Sequence, residues 1–132
     1  MKEQNDAKTK LTVKDALLQL REAWTKGVEI GVTNNAERQL LRIVVANRVK
    51  ALRVEHNITQ EAFSEKVNVA FLTYKGYENR KSDIPLHTLV RIANELETSV
   101  DYLTGRTDAK EAGDLEDRIK KLEEAFHTRG GI

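Results

Sequence analysis

Cysteine is absent from this 132-residue sequence, which excludes disulfides, thiolate metal sites and cysteine nucleophiles and suits a reducing cytoplasm. Proline occurs once, glycine seven times and phenylalanine three times, a poor supply for a many-turned β fold. No apolar run approaches the roughly 18 residues of a membrane span. The opening MKEQNDAKTK carries no apolar h-region, so a soluble protein is expected. An excess of one charge is also missing: the formal net charge is +1, and any basic surface must be local. What is present is helix-forming Leu, Ala, Glu, Lys and Arg, with 33% of residues charged and 39% hydrophobic. The expectation is an all-α fold with one modest core inside solvated helices.

Residues that carry enzyme chemistry are equally sparse. His56, His87 and His127 stand far apart with no second ligand at metal-binding spacing, and no cysteine can complete a zinc site. The serines, at 64, 82 and 99, fit tight helix packing, a loop and a cap rather than a nucleophile elbow. No glycine-rich phosphate loop follows a strand. Neither catalysis nor a metal nor a cofactor is expected.

Periodicity organises the rest. Residues 1 to 10 are polar and read as frayed. A helix over about 12 to 25 starts at a Thr12 cap with Asp15 three residues on, and carries Val13, Leu17, Leu20 and Trp24 in one stripe with Ala16 and Ala23. Gly27 and Gly31 bracket VEI, too short for a strand with nothing to pair with, so a loop is expected there. Asn34 with Glu37 reads as a second capping box, opening a helix to about His56 whose apolar face holds Leu40, Leu41, Val44, Val45, Val49 and Leu52. The stripe of the first helix is most simply packed on this face, in the same chain or in a second protomer. Next, Thr59 caps QEAFSEKV, with Ala62, Phe63 and Val67 inward, and Asn68 permits a left-handed turn into a helix from Ala70 to about Asn79. RKSDI is a polar loop, and Pro85 suits the first turn of a helix carrying Leu86, Leu89, Ile92, Ala93 and Leu96. Thr98 and Asp101 flank a short turn ended by Gly105. Leu115, Ile119, Leu122 and Phe126 then space out as a seam of about two heptads. In a parallel pair Arg118 would face the partner's Glu123, although packing back on the same chain is as simple a reading.

From about residue 46 to 108 the chain resembles the helix-turn-helix domain of the phage repressor and Cro (XRE) family. The resemblance is carried by NRVKALR, ITQEAFSEKVNVA, YENRKSDIPLHTLVRIANEL and SVDYLTGRTD. It implies a five-helix, lambda-repressor-like domain at 46–108. An N-terminal helical extension at 1–45 would serve dimerisation, and a linker with a short C-terminal helix would fill 109–132. Two short helices joined across Asn68 must cross steeply, so the second projects from the body as groove insertion requires.

At about 100° per residue, Ala70, Thr73, Tyr74, Tyr77 and Glu78 share the inner side of that helix, and Phe71, Leu72, Lys75, Gly76 and Asn79 the outer. The resemblance makes Phe71, Leu72, Lys75 and Gly76 the residues that meet base edges. Phe71 and Leu72 suit thymine methyl groups, while Lys75 suits guanine or a phosphate. It places phosphate contacts at Thr59, Gln60, Asn79, Arg80 and Lys81, with backbone amides at the Gln60 helix start favouring an anion. Arg53 and Glu78 match a pair that forms an internal salt bridge in the family. The implied function is a dimeric, sequence-specific, double-stranded DNA-binding regulator, most simply a repressor. The competing expectation is a protein-interaction module on the same scaffold, antitoxin or antirepressor-like, with a regulatory protein as partner. Its motive is the near-neutral charge and the outward Phe71 and Leu72.

Overall fold

The computed structural model describes residues 11–110, together with 119, 120, 123 and 124. The polar start at 1–10, His127, and Leu115, Arg118, Leu122 and Phe126 of the expected seam lie outside the described residues. Among the described residues are six helices and no strand: α1 (Val13–Ile30), α2 (Asn34–Glu55), α3 (Gln60–Lys66), α4 (Phe71–Glu78), α5 (Leu86–Glu95) and α6 (Val100–Leu103). None is long and apolar enough to cross a membrane.

Side-chain caps start the helices where hydroxyls are available. The Asp15, Ala36, Ala62 and Tyr102 amides donate to the hydroxyls of Thr12, Thr33, Thr59 and Ser99. The cap of α2 is therefore Thr33 rather than Asn34, and Glu37 does not close a box there. Its carboxylate instead accepts from the Trp24 indole at 3.1 Å. VEI is helical and not a loop: α1 kinks at Lys26 (φ −130, ψ 16) and runs on to Ile30. Gly31, at φ +71, then makes the turn into α2.

Helix ends follow one pattern. Asn57, Asn68, Arg80, Glu97 and Gly105 all have positive φ, and at each one the next residue's amide reaches back to the last helical turn. Glycine occupies only one of these five positions. Asparagine tolerates the left-handed region, whereas Arg80 and Glu97 adopt it at a cost.

Two clusters of buried side chains meet on α2. Ala16 and Leu20 of α1 close on Leu40 and Val44, so the first helix packs on the second within one chain. Val13, Leu17 and Ala23 are half-buried and Trp24 is exposed at 36%. Val45 turns to the larger cluster, with Val49, Leu52, Phe63, Val67, Tyr74, Tyr77, Leu89, Ile92, Leu96 and Leu103. Leu41 touches both. Each fully buried Leu, Ile or Phe contributes about 1.5–3 kcal/mol by transfer from water. Besides Trp24, the expected inward positions Ala62 and Leu86 are outside, and Ile119 of the expected seam is 45% exposed. In α3 the narrow Phe63–Val67 edge is buried with Ser64, whose hydroxyl donates to the Glu61 carbonyl, and Ala62 falls beyond that arc.

α1 is tied down at its far side by the turn after α6. Gly105 has φ +88, and a Cβ there would also lie 2.6 Å from Leu17 Cδ1 and 3.2 Å from Val44 Cγ1, so glycine suits both the turn and its close approach. Arg21 donates to the Gly105 carbonyl at 2.9 Å and pairs with Asp108 at 2.8 Å. Arg48, buried and 4.2 Å from the Tyr102 ring centroid, donates to the Tyr102 and Thr107 carbonyls and shares Asp108. Hydrogen bonds from Arg21 and Arg48 hold the Asp108 carboxyl below its ordinary range.

Candidate nucleic-acid interface

Only Val67 to Ala70 separate α3 from α4. Asn68 at φ 58 reverses the chain, Val69 packs on the core, and the Phe63 and Tyr74 rings meet edge to face at 5.4 Å. The Arg91 guanidinium, from α5, donates to the Val67 carbonyl at 2.8 Å and braces the turn.

The inner edge of α4 is Tyr74, Tyr77 and Glu78. Glu78 is the hub of a buried network. Arg53 of α2 donates to both its carboxylate oxygens, at 2.7 and 3.0 Å, and also to the Ile58 carbonyl at 2.6 Å. The Gln60 amide donates to Glu78 at 3.0 Å, and the Tyr74 hydroxyl donates to it as well. Burial alone would push the Glu78 carboxyl up, but the hydrogen bonds from Arg53, Tyr74 and Gln60 outweigh it and hold the group below its ordinary range. The hydrogen bond to Glu78 raises Arg53 in turn, and burial pushes the Tyr74 hydroxyl well above its usual range. Among the described residues no buried side-chain polar atom lacks a partner. This network fixes how α4 is rotated on α2 and α3.

The outer side is wider than the sequence predicts. Ala70 and Thr73, expected inside, are exposed. Ala70 precedes the helix as its N-cap residue, so the 100° count does not reach it, and a two-turn helix seated on one edge buries a narrow arc that leaves out Thr73. Leu72 is 78% exposed and Phe71 39%, while Lys75 and Gly76 are half-buried. Lys75 Nζ sits 5.5 Å from the Phe71 ring centroid, within cation–π reach. A Cβ at Gly76 would meet Ser82 Oγ at 3.4 Å, an ordinary contact, so nothing inside the protein demands glycine there.

The residues expected at phosphate have mixed duties. Thr59 spends its hydroxyl on the α3 cap and Gln60 its amide on Glu78. Asn79 ends α4, Arg80 follows at φ 63, and the Lys81 amide donates to the Gly76 carbonyl at 2.9 Å. Asn79, Arg80 and Lys81 are all exposed and line one end of the outer side of α4.

Two features were missed in the sequence. Thr73 adds a hydroxyl and a methyl to the outward face, and a wider exposed arc is its only signal. Asp83, in the loop after Lys81, accepts from Arg38 Nε and Arg42 Nε, both at 2.5 Å. Burial would raise this carboxyl, but the bonds from Arg42 and Arg38 prevail and keep it below its ordinary range. No spacing rule joins residues so far apart in the chain.

The helix-turn-helix family model matches residues 49–103. The chain is 41% identical over 61 residues to the "Uncharacterized HTH-type transcriptional regulator YobD" of Bacillus subtilis (strain 168), covering 46% of this chain and 54% of that protein. It thus spans about half the length of that relative. It is 34% identical over 80 residues to the cryptic phage CTXphi transcriptional repressor RstR of Vibrio cholerae, covering 61% of this chain and 68% of RstR. The HTH-type transcriptional regulator ImmR of Bacillus subtilis is 27% identical over 82 residues, covering 62% of this chain and 65% of ImmR. No solved structure matches. An all-helical architecture, a turn braced between α3 and α4, and these matches agree that the chain belongs to the XRE-type helix-turn-helix family.

Proposed function

We propose that this protein is a sequence-specific, double-stranded DNA-binding transcriptional regulator that acts in the cytoplasm as a dimeric repressor. The observation that carries the reading is the division of α4. Its inner edge is locked by the Glu78 network, while its outer side and the Asn79–Lys81 turn present Leu72, Thr73, Lys75 and two further cations without a fold-building duty. A rigidly oriented helix with a free outer face is what major-groove reading needs. In this reading Phe71 and Leu72 meet thymine methyl groups, and Lys75 reaches a base or phosphate. Gly76 lets the α4 backbone approach the DNA, and Thr59, Gln60, Asn79, Arg80 and Lys81 lie along the phosphates. Two protomers would set their α4 helices about 34 Å apart on a roughly palindromic site. Occupying a promoter is the simplest way such a protein represses.

The test is selection of duplexes from a random pool, followed by variants. Lys81→Ala is expected to weaken all sequences alike, and Leu72→Ala to change preference at one position. Failure of any duplex to be enriched would sink the reading. The high exposure of Leu72 supports a second reading, in which α4 seats a protein partner. Co-purification of one partner, lost in Leu72→Ala, with no duplex retained, would favour it.

A further inference from the structure

We propose that Asp83 is a positioning residue for DNA binding: gripped by Arg38 and Arg42 of α2, it fixes the loop that presents Arg80 and Lys81 to phosphate. The proposal rests on the DNA-binding reading above and assigns to it residues N-terminal to the matched family region, which begins at residue 49.

The geometry is a two-armed clamp. Arg38 Nε donates to one carboxylate oxygen of Asp83 and Arg42 Nε to the other, so the carboxylate cannot rotate without breaking a bond. Arg42 is the better-shielded arm, 17% exposed against 58% for Arg38. Both project from the 22-residue α2, which is flanked by both apolar clusters and so offers a stiff mount.

Little else holds the loop. Between loop and α2 lies an open pocket of about 430 Å³, lined in part by Leu41, Val45, Ser82 and Ile84 and by the clamp residues themselves, so apolar packing there is incomplete. Other fixed points are the Arg80 amide on the Tyr77 carbonyl, the Lys81 amide on the Gly76 carbonyl, and Ile84, which touches the larger core. The two helix-end bonds hold Arg80 in the left-handed region, as the equivalent bonds hold Glu97 at the end of α5. The clamp instead fixes, from α2, the path of the chain just after Lys81.

Charge and geometry predict opposite results, which makes the proposal testable. A carboxylate beside a phosphate-binding loop repels DNA, so charge alone predicts that Asp83→Asn binds more tightly. Positioning predicts the reverse. The full chain is titrated onto a duplex enriched from a random pool, at two salt concentrations, with thermal melting to verify that each variant is folded. Asp83→Asn is expected to bind roughly fivefold more weakly. Its salt slope is expected to be lower by about 1, since one cation leaves its phosphate. Asp83→Glu, which keeps the charge, is expected to recover most of the loss. In the free protein, amide exchange over 80–84 is expected to quicken in Asp83→Asn while α2 and α4 stay protected. Equal or tighter binding by folded Asp83→Asn overturns the positioning role and leaves the DNA-binding reading intact. Wild-type chain that enriches no duplex overturns the DNA-binding reading and the positioning role together.

Discussion

Glu78 and Asp83 stand on either side of Arg80, and arginines of α2 grip both, but their surroundings differ. The Glu78 side chain is 2% exposed and that of Arg53 9%, whereas Asp83 is 44% exposed. Glu78 also takes bonds from Tyr74 and Gln60, so the buried carboxylate is satisfied from three helices. Asp83 has two arginines and is open to solvent. The same chemistry therefore does two jobs. In the core, removing one partner strands a charge, so the pair governs whether α4 is seated at all. At the surface, solvent takes over most of the lost interaction, so the pair contributes little stability and instead selects where a loop rests.

The largest expected effect breaks the buried side. Arg53→Ala is expected to destabilise the chain by about 3–5 kcal/mol, read from urea unfolding, because Glu78 is left charged and buried. Acid offers the same test without mutation. Glu78 titrates lower in the folded chain than its ordinary 4.5, so the unfolded chain takes up the proton first. The stability it adds is complete above about pH 4.5 and is lost as pH falls through the folded-state value. Glu78→Gln is expected to flatten this acid limb, and Asp83→Asn to leave most of it in place. Next in size, Asp83→Asn is expected to cost about 1 kcal/mol or less in urea unfolding. A loss as large as that of Arg53→Ala would erase the distinction between the two sites. Smallest is Arg80→Gly, between the anchors. Relief of the left-handed backbone is expected to raise stability by about 0.5–1 kcal/mol in the same assay, offset in part by a freer unfolded chain. Binding to an enriched duplex is expected to weaken with the lost cation.

The sequence makes local features legible. Thr59 as a cap, Asn68 as the reversal point and Tyr74 with Tyr77 on the inner edge follow from hydroxyl chemistry, left-handed tolerance and helical spacing, and the structure has all three. Where two local signals compete, the reading slips. Thr33 and Asn34 are both good caps; in the structure Thr33 takes the role, and Glu37 bonds Trp24, a contact that no local rule signals. The VEI segment is equally ambiguous, since its short apolar alternation fits a loop or the end of a kinked helix. Features set by distance along the chain are not legible from spacing at all. Arg53 and Glu78 are named as partners only through the family resemblance, and Asp83 with Arg38 and Arg42 is not signalled by any motif. The extent of the outer face of α4 belongs to the same class, because how wide an arc a short helix buries depends on what it leans on.

The measurement closest to the central claim is the affinity of the wild-type chain for an enriched duplex as a function of salt. Phosphate contacts by Lys75, Arg80 and Lys81 predict a linear fall of log affinity with log salt, with a slope near 3 per protomer if each neutralises about one phosphate. A scrambled duplex is expected to bind at least about a thousandfold more weakly. Affinity that is indifferent to salt, or equal for both duplexes, would contradict a DNA-reading role for α4.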